Sequence, residues 1–331
     1  MKVLITGCAG LLGSHFSRYL LEKGNKIDVI GIDNLSGGYI DFVDPRVRFY
    51  QEDLNDIKTL ERIFETESPD YVFHFAAYAA EGLSHWIRNF NYTNNVLCSM
   101  NVINCCIKYG VQKLIFTSSM AVYGEQTPPF TEDMKPAPED PYGIAKYTVE
   151  QDLRVASDHF GLRYSIVRPH NVIGTQQNIW DRYRNVIGIW IRQVLNGESI
   201  SIFGDGLQER SFSDIQYYMK PFHTLMFEGD GEIFNIGADK EITILEGANI
   251  IQSIGKDHGY ESEIVHYEPR NEVMFAYSDH SKAKNILGFE DRTVLEVTFN
   301  EMFEWASNHS HREVKNIEYE LENKMYSFWI K

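Results

Sequence analysis

The sequence predicts an α/β protein built on a doubly wound parallel sheet, with a smaller mixed α/β lobe toward the C-terminus. Three observations carry that expectation. Met1 to Asp33 reads as strand, glycine-rich turn, helix, strand and acidic residue. Strand-like apolar runs then alternate with helical patterns as far as Arg168, as a sheet covered on both faces requires. After Asn171 the alternation breaks, and Trp180, Tyr183 and Trp190 share a segment with Arg182, Arg184 and Arg192.

The first element, Lys2-Val3-Leu4-Ile5, is a short buried-strand run that enters Thr6-Gly7-Cys8-Ala9-Gly10-Leu11-Leu12-Gly13. Gly7 permits a tight turn, Gly10 lets backbone approach a pyrophosphate, and Gly13 lets helix pack on strand. Leu11 and Leu12 open a helix whose unpaired N–H groups and positive dipole end suit phosphates. Gly24 stops that helix, and Lys26 to Ile32 returns as a second strand ending on Asp33. A carboxylate there hydrogen-bonds an adenosine ribose and repels a 2′-phosphate, which favours NAD over NADP. Strand, glycine triplet, helix, strand and acid in register read as a Rossmann-type dinucleotide site.

A polar connection from Asn34 to Gly38 leads to a strand near Val47-Tyr50, and Asn34, Asp53 and Leu54 are placed beside the cofactor. Asp53 has two readings: a contact to the adenine edge, or the N-cap of a helix over Ile57–Glu67. Asp70 to Ala77 is the next strand; Phe75, Ala76 and Ala77 at its end leave room for a cofactor against backbone. A helix over Tyr92–Tyr109, a strand over Lys113–Ser118 and a sixth strand over Arg163–Arg168 follow. The expected division is a cofactor domain over 1–175 with a returning strand near 231–237, a substrate lobe over 176–310, and a helical tail over 311–331. Val314, Ile317, Leu321, Met325 and Phe328 give the tail its helical spacing.

The 331 residues are 43% hydrophobic and 24% charged, with a formal charge of −16. That charge argues against nucleic-acid or membrane surfaces, which want a basic face, and leaves room for locally placed arginines to hold an anionic small ligand. Met1 runs directly into the first strand, and no apolar run is long enough to span a bilayer. The four cysteines, Cys8, Cys98, Cys105 and Cys106, lack metal spacing; reduced thiols in a cytoplasmic protein are expected, with no metal.

The chemistry is expected where Pro141-Tyr142-Gly143-Ile144-Ala145-Lys146 sets Tyr142 and Lys146 one turn apart on one helix face. A tyrosine acting as a base near neutrality must lose roughly three pKa units, about 4 kcal/mol, and a neighbouring ammonium plus a nicotinamide cation can supply it. Phe116-Thr117-Ser118-Ser119 brings a hydroxyl to the same crevice. His74, inside an apolar strand, reads as a core histidine. Of His74, His85 and His170, the last is expected nearest the substrate, with no chemistry assigned.

With these motifs the chain resembles the extended short-chain dehydrogenase/reductase family, and within it the nucleotide-sugar epimerases and dehydratases, nearest the UDP-glucose 4-epimerase pattern. The resemblance runs from Thr6-Gly7 to about Gly288. It implies that Tyr142 is the base, that Lys146 binds the nicotinamide ribose and lowers the tyrosine pKa, and that Ser119 hydrogen-bonds the sugar. Asn171, Arg210 and Arg270 are similar to diphosphate ligands, and Asn185 and Tyr277 complete the expected substrate set. A dehydratase of the family would carry an acid pair after Ser119, and a GDP-mannose-type 3,5-epimerase a cysteine at position 121. Met120 and Ala121 stand there instead, which leaves oxidation and re-reduction at C4 of a nucleotide sugar, as for surface polysaccharide.

Departures from the pattern keep other readings open. Ala79 stands where a cofactor-contacting lysine is expected, and Arg270-Asn271-Glu272-Val273 replaces Arg-Pro-Gly-Asp. Arg88, Arg182 and Arg184 either pair with a sugar carboxylate, making the substrate a UDP-hexuronic acid, or form surface ion pairs. A GDP-sugar epimerase, a 4-keto-sugar reductase and a non-catalytic NAD-binding regulator are the alternatives. Helices Tyr92–Tyr109 and Tyr142–Phe160 resemble the pair that joins family members as homodimers.

Overall fold

A computed structural model describes residues 1–24, 26–270, 272–309, 311–313 and 317–329. In the first part of the chain, strands β1 (Lys2–Thr6), β2 (Asp28–Ile32), β3 (Arg48–Tyr50), β4 (Tyr71–His74), β5 (Lys113–Thr117) and β6 (Tyr164–Pro169) alternate with helices. These are α1 (Leu11–Glu22), α2 (Ile57–Glu67), α3 (Arg88–Tyr92), α4 (Cys98–Lys108) and α5 (Pro141–Phe160). Then come β7 (Val172–Ile173), α6 (Val186–Leu195), β8 (Ile200–Phe203), β9 (Glu209–Ser211), β10 (Ser213–Asp214), α7 (Met219–Leu225) and β11 (Ile233–Ile236). The rest is β12 (Glu241–Thr243), α8 (Ile244–Asp257), β13 (Ile264–Tyr267), β14 (Phe275–Ala276), α9 (Ser281–Leu287) and α10 (Leu295–Ser307).

Seven strands form one parallel sheet in the order β11-β6-β5-β4-β1-β2-β3. β1 to β3 run outward to one edge and β4 to β11 to the other, so the order reverses between β1 and β4. A ligand crevice opens at that switch point, outside the carboxyl ends of the strands. One apolar cluster, including Phe16, Phe73 and Phe222, covers one face with α1 and α7; another, including Leu60, Val102 and Leu153, covers the other with α2, α4 and α5. β1, β4 and β5 are almost wholly buried, which is why they read as continuous apolar runs. A third cluster around Trp180, Trp190 and Phe303 packs α6, α8 and α10 against short strands, including the three-stranded β12-β9-β14 sheet.

Two local expectations need correction. Asp53 does not cap α2; the cap is Asp56, whose carboxylate accepts from Thr59 N at 3.3 Å. Asp53 instead accepts from Asn55 N at 2.8 Å and from Asn34 Nδ2 at 3.2 Å, which ties the loops after β2 and β3 together. The helical tail is also absent among the described residues: 317–329 run as extended chain and turns, with Lys324 at φ +58°. Met325 and Trp329 are buried with Leu83, Trp86 and Ile87, with Ile317 and Phe328 packed alongside. Docking against this aromatic surface outweighs the helical spacing, and Leu321 stays exposed. Val314 lies outside the described residues.

Candidate active site

The crevice is a cavity of about 880 Å³ that runs from the turn after β1 to the tail. Its first end is made largely of backbone. Gly7 sits at φ +70°, and a Cβ there would lie 2.7 Å from Ala76 N, so the β1 turn rests directly on the end of β4. A Cβ on Gly13 would lie 2.3 Å from Gly7 O, which places Gly13 behind the turn as the helix–strand contact and outside the cavity lining. Gly10 caps α1 without any side-chain hydrogen bond, leaving the first amides of the helix, at Leu11 and Leu12, on the cavity wall. Asp33 accepts from Ala9 N at 3.0 Å and Leu35 N at 2.8 Å, and burial raises its pKa despite those bonds and the Arg184 charge.

These residues fit a dinucleotide. An uncapped helix start lies on the cavity wall, and a carboxylate pinned by two amides keeps acceptor capacity for a ribose. Asn34, Asp53, Leu54, Phe75, Ala76 and Ala77 line the same end, with Ala79 beyond them. His74 lies beneath it, Nδ1 on Thr6 Oγ1 at 2.7 Å and Nε2 on Ser99 Oγ at 2.8 Å. Burial and the Lys146 charge push it down to about 3, a neutral core histidine.

At the middle, Ser119, Tyr142 and Lys146 meet. Asp140 caps α5 with two bonds, from Tyr142 N at 2.8 Å and Gly143 N at 2.9 Å, and Pro141 takes the first helical turn, where its missing N–H costs nothing. Lys146 Nζ donates to Thr117 O at 2.8 Å and lies 5.8 Å from the Tyr142 ring centre. One turn further on, Glu150 accepts from Arg168 Nε at 2.9 Å and Nη2 at 2.6 Å, and from Ser118 Oγ at 2.5 Å, all buried. Burial pushes Lys146 down to about 8. Within the protein alone, burial raises the Tyr142 phenol well above 10, Glu81 and Asp140 add to the rise, and the Ser119 hydroxyl and Arg184 offset part of it; the expected lowering includes a nicotinamide cation. The protein's own groups therefore hold a neutral phenol, and the lowering must come with a cationic ligand beside it.

Glu81, which the sequence reading passed over, is the other titratable group here. Its side chain is exposed into the open cavity, and the protein around that cavity together with the Asp140 charge pushes its carboxyl above the usual carboxylate range. Its backbone carbonyl holds Ser84 Oγ at 2.6 Å, and that hydroxyl also reaches Asp140 at 3.3 Å. The only signal for Glu81 was its place just after the small residues that end β4.

The far end gathers residues from distant segments. Asn171, at φ +27°, lines the cavity and donates to Ser211 O at 3.1 Å. Asn185 lines it too and caps α6 by accepting from Ile187 N at 3.0 Å. Arg210 spends its terminal nitrogens on Glu209 O, Met274 O, Val273 O and the Glu272 carboxylate. Arg270 stacks on Phe203, its guanidinium carbon 3.2 Å from the ring centre, and burial pulls it down to about 10. Asn271 lies outside the described residues.

Several expected residues fall elsewhere. Tyr277 does not line the cavity; its neighbour Ala276 does, since side chains alternate along an extended segment. His170 is fully buried beside His280 with Nε2 on Ser278 at 2.5 Å, and His85 is the histidine on the cavity wall. Arg88 is exposed outside the cavity, whereas Arg182 and Arg184 line it, Arg184 paired with Asp181 at 3.0 Å and Arg182 bonded to Tyr183, Tyr319 and the Trp329 carbonyl. Tyr326, Phe328 and Trp329 of the tail form part of the wall, which the sequence hinted at only through its density of aromatic residues.

Known proteins share this fold. A putative UDP-glucose 4-epimerase of Methanocaldococcus jannaschii is 33% identical over 313 residues, covering 93% of this chain and 99% of that protein. The crystal structure of the Thermotoga maritima UDP-glucose 4-epimerase with UDP-glucose superposes with a TM-score of 0.86 at 35% identity, covering 92% of this chain and 98% of that one. A UDP-glucuronic acid 4-epimerase of Bacillus cereus, solved with UDP-glucuronic acid and NAD, gives 0.83 at 26% identity, with 92% and 98% covered. Residues 3–237, from the first strand through the returning one, match the model of the NAD dependent epimerase/dehydratase family, and the chain belongs to that family.

Proposed function

We propose that this protein is an NAD-dependent 4-epimerase of a UDP-hexose, working through a transient 4-keto sugar. The observation that carries this reading is the convergence of Tyr142, Ser119 and Lys146 at the middle of one cavity, between a dinucleotide cradle and an arginine-bearing far end. Relatives named UDP-glucose 4-epimerase support the choice of reaction.

Bound NAD would supply the two-electron acceptor for the C4 carbon, held by the Gly10–Leu12 helix start, Asp33 and Lys146. Tyr142 takes the C4 hydroxyl proton and later returns it, with Ser119 hydrogen-bonded to the same oxygen. Lys146, fixed to Thr117 O, supplies a positive charge that favours the phenolate once the site is filled. The apolar Met120 and Ala121 beside Ser119 contribute no second proton-transfer group.

Glu81 and Asp140 outnumber Arg184 among the charges acting on Tyr142, which favours a neutral hexose over a hexuronic acid. Glu81 also supports a second reading, proton transfer at a neighbouring sugar carbon, because it lines the same cavity as Tyr142 and its carboxyl is raised toward neutrality. Proton NMR of UDP-glucose incubated with the protein in deuterium oxide separates the two. Inversion at C4 without deuterium uptake is expected; deuterium at C3 or C5, or loss of the C6 hydroxyl, would establish the second reading, and an unchanged spectrum would sink both. The exposed Leu97, Ile144 and Val155, just before α4 and on α5, support a homodimer through those helices; a monomer mass in solution would remove it.

A further inference from the structure

The tail is bound into the far end of the cavity rather than laid over the surface. The Glu320 carboxylate accepts from Asn89 N and Phe90 N, both at 2.7 Å, at the start of α3. Trp86 Nε1 donates to Asn323 O at 3.1 Å, and Arg182 Nη2 donates to Tyr319 Oη at 3.1 Å and Trp329 O at 3.3 Å. Trp329 is 3% exposed, packed edge-on against Trp86 and Tyr183, and lines the cavity.

Two donors at this place are left over. Trp329 Nε1 is buried with no acceptor among the described residues, and so is Arg270 Nε. The Arg270 guanidinium carbon lies 4.8 Å from the Trp329 ring centre, and no carboxylate of the described residues forms an ion pair with it. Buried donors of this kind are normally satisfied, so a pair of them on a cavity wall marks the position of an acceptor-rich ligand. The neighbouring Arg210 has its terminal nitrogens committed to three carbonyls and Glu272, whereas the Arg270 guanidinium, beside Trp329, keeps free donor capacity.

We propose that residues 317–329 form the closing wall of the diphosphate end of the substrate site, with the Trp329 indole N–H and the Arg270 guanidinium donating to the diphosphate oxygens. This rests on the nucleotide-sugar reading above and assigns the tail, with Trp329, to that site. Burial pulls Arg270 down more than the nearby Glu272 charge restores, and an anion bound at the guanidinium relieves that cost.

The test is calorimetric titration of the full-length, NAD-loaded protein with UDP and, separately, uridine. Trp329→Phe keeps the ring and removes the donor: UDP affinity should fall on the order of tenfold, the size of one hydrogen bond to a charged group, while uridine affinity and bound NAD hold. A chain ending at residue 316 should lose more. UDP binding that is unchanged or tighter in both variants would overturn the proposal, tighter binding marking the tail as a plug. Equal loss for uridine and UDP would also overturn it, by moving the contact from diphosphate to base. Failure of the unaltered protein to bind UDP would instead overturn the nucleotide-sugar reading itself. Matching thermal melts keep the Trp329→Phe result independent of folding.

Discussion

The two ends of the cavity are built on different principles. At the cofactor end the ligand surface is mainly backbone: Gly7, Gly10 and the opening amides of α1, with one carboxylate fixed by two N–H bonds. The pieces lie within 33 consecutive residues and are close because the chain folds back on itself at once. At the substrate end the surface is side chain, drawn from Asn171, Asn185, Arg210, Arg270 and the tail. Its cations are already partnered by carbonyls and aromatic rings. One end tolerates almost no added atoms, while the other can be re-dressed without disturbing the sheet. A fold shared among relatives that act on different sugars needs that division.

The largest expected effect lies where the ends meet. Tyr142→Phe should lower C4 inversion by about 10³-fold, within the usual range for losing a general base, while the cofactor end keeps its NAD; retained turnover, or loss of NAD, would break the separation. At the cofactor end, Gly13→Ala forces a Cβ to 2.3 Å from Gly7 O and should cost about 1–3 kcal/mol of stability together with NAD binding. Denaturant unfolding and cofactor content after desalting check it.

Lys146→Met sharpens the comparison through pH. The lysine is pushed from 10.5 to about 8, so the folded protein binds fewer protons than the unfolded chain between those values, and stability rises with pH across that window. Below pH 8 the penalty of the buried charge is fully present. The methionine variant of the NAD-free protein should therefore be more stable at pH 7, on the order of 2 kcal/mol, with the gap closing toward pH 10. A pH-independent gap would mean that Lys146 keeps its ordinary pKa in the fold.

The smallest effect is expected from Glu81→Gln, a few-fold change in the preference between UDP-glucose and UDP-glucuronate in favour of the acid. Loss of all turnover would instead make Glu81 a proton-transfer group. In the NAD-free protein, the surrounding cavity wall and Asp140 raise the carboxyl above its usual 4.5, so wild-type stability falls slightly as pH climbs above that value, solvent in the open cavity keeping the change small. The glutamine variant should gain on it over the same range.

How far each end could be read from sequence follows from the same division. Glycines at 7, 10 and 13 and the acid at 33 are local constraints on one turn, and Tyr142 and Lys146 are one turn apart on a helix, so spacing alone brought them together. Glu81 carries no periodic signature, because what places it is the path of the loop after β4. The tail misled because residues 317, 321, 325 and 328 satisfy a helical period, whereas its conformation is set by Trp86, Tyr183 and Arg270, which are far away in sequence. Tyr277 and His170 were misplaced for a simpler reason: proximity along the chain to a cavity residue does not fix which side of an extended segment faces it. The expected lowering of the Tyr142 phenol depended on charge the chain itself does not hold.

Tyr142, Lys146 and Glu150 form a single file along α5, and the third of them ends in a buried bidentate clasp with Arg168 on the neighbouring strand. A helix packed only through apolar contacts can roll a little about its long axis at small expense. A clasp with two fixed bonds cannot follow such a roll without breaking, so it acts as an angular stop. The hydroxyl of Tyr142, two turns away, inherits its bearing from that stop, and the aim of the reacting group is set by residues outside the cavity lining.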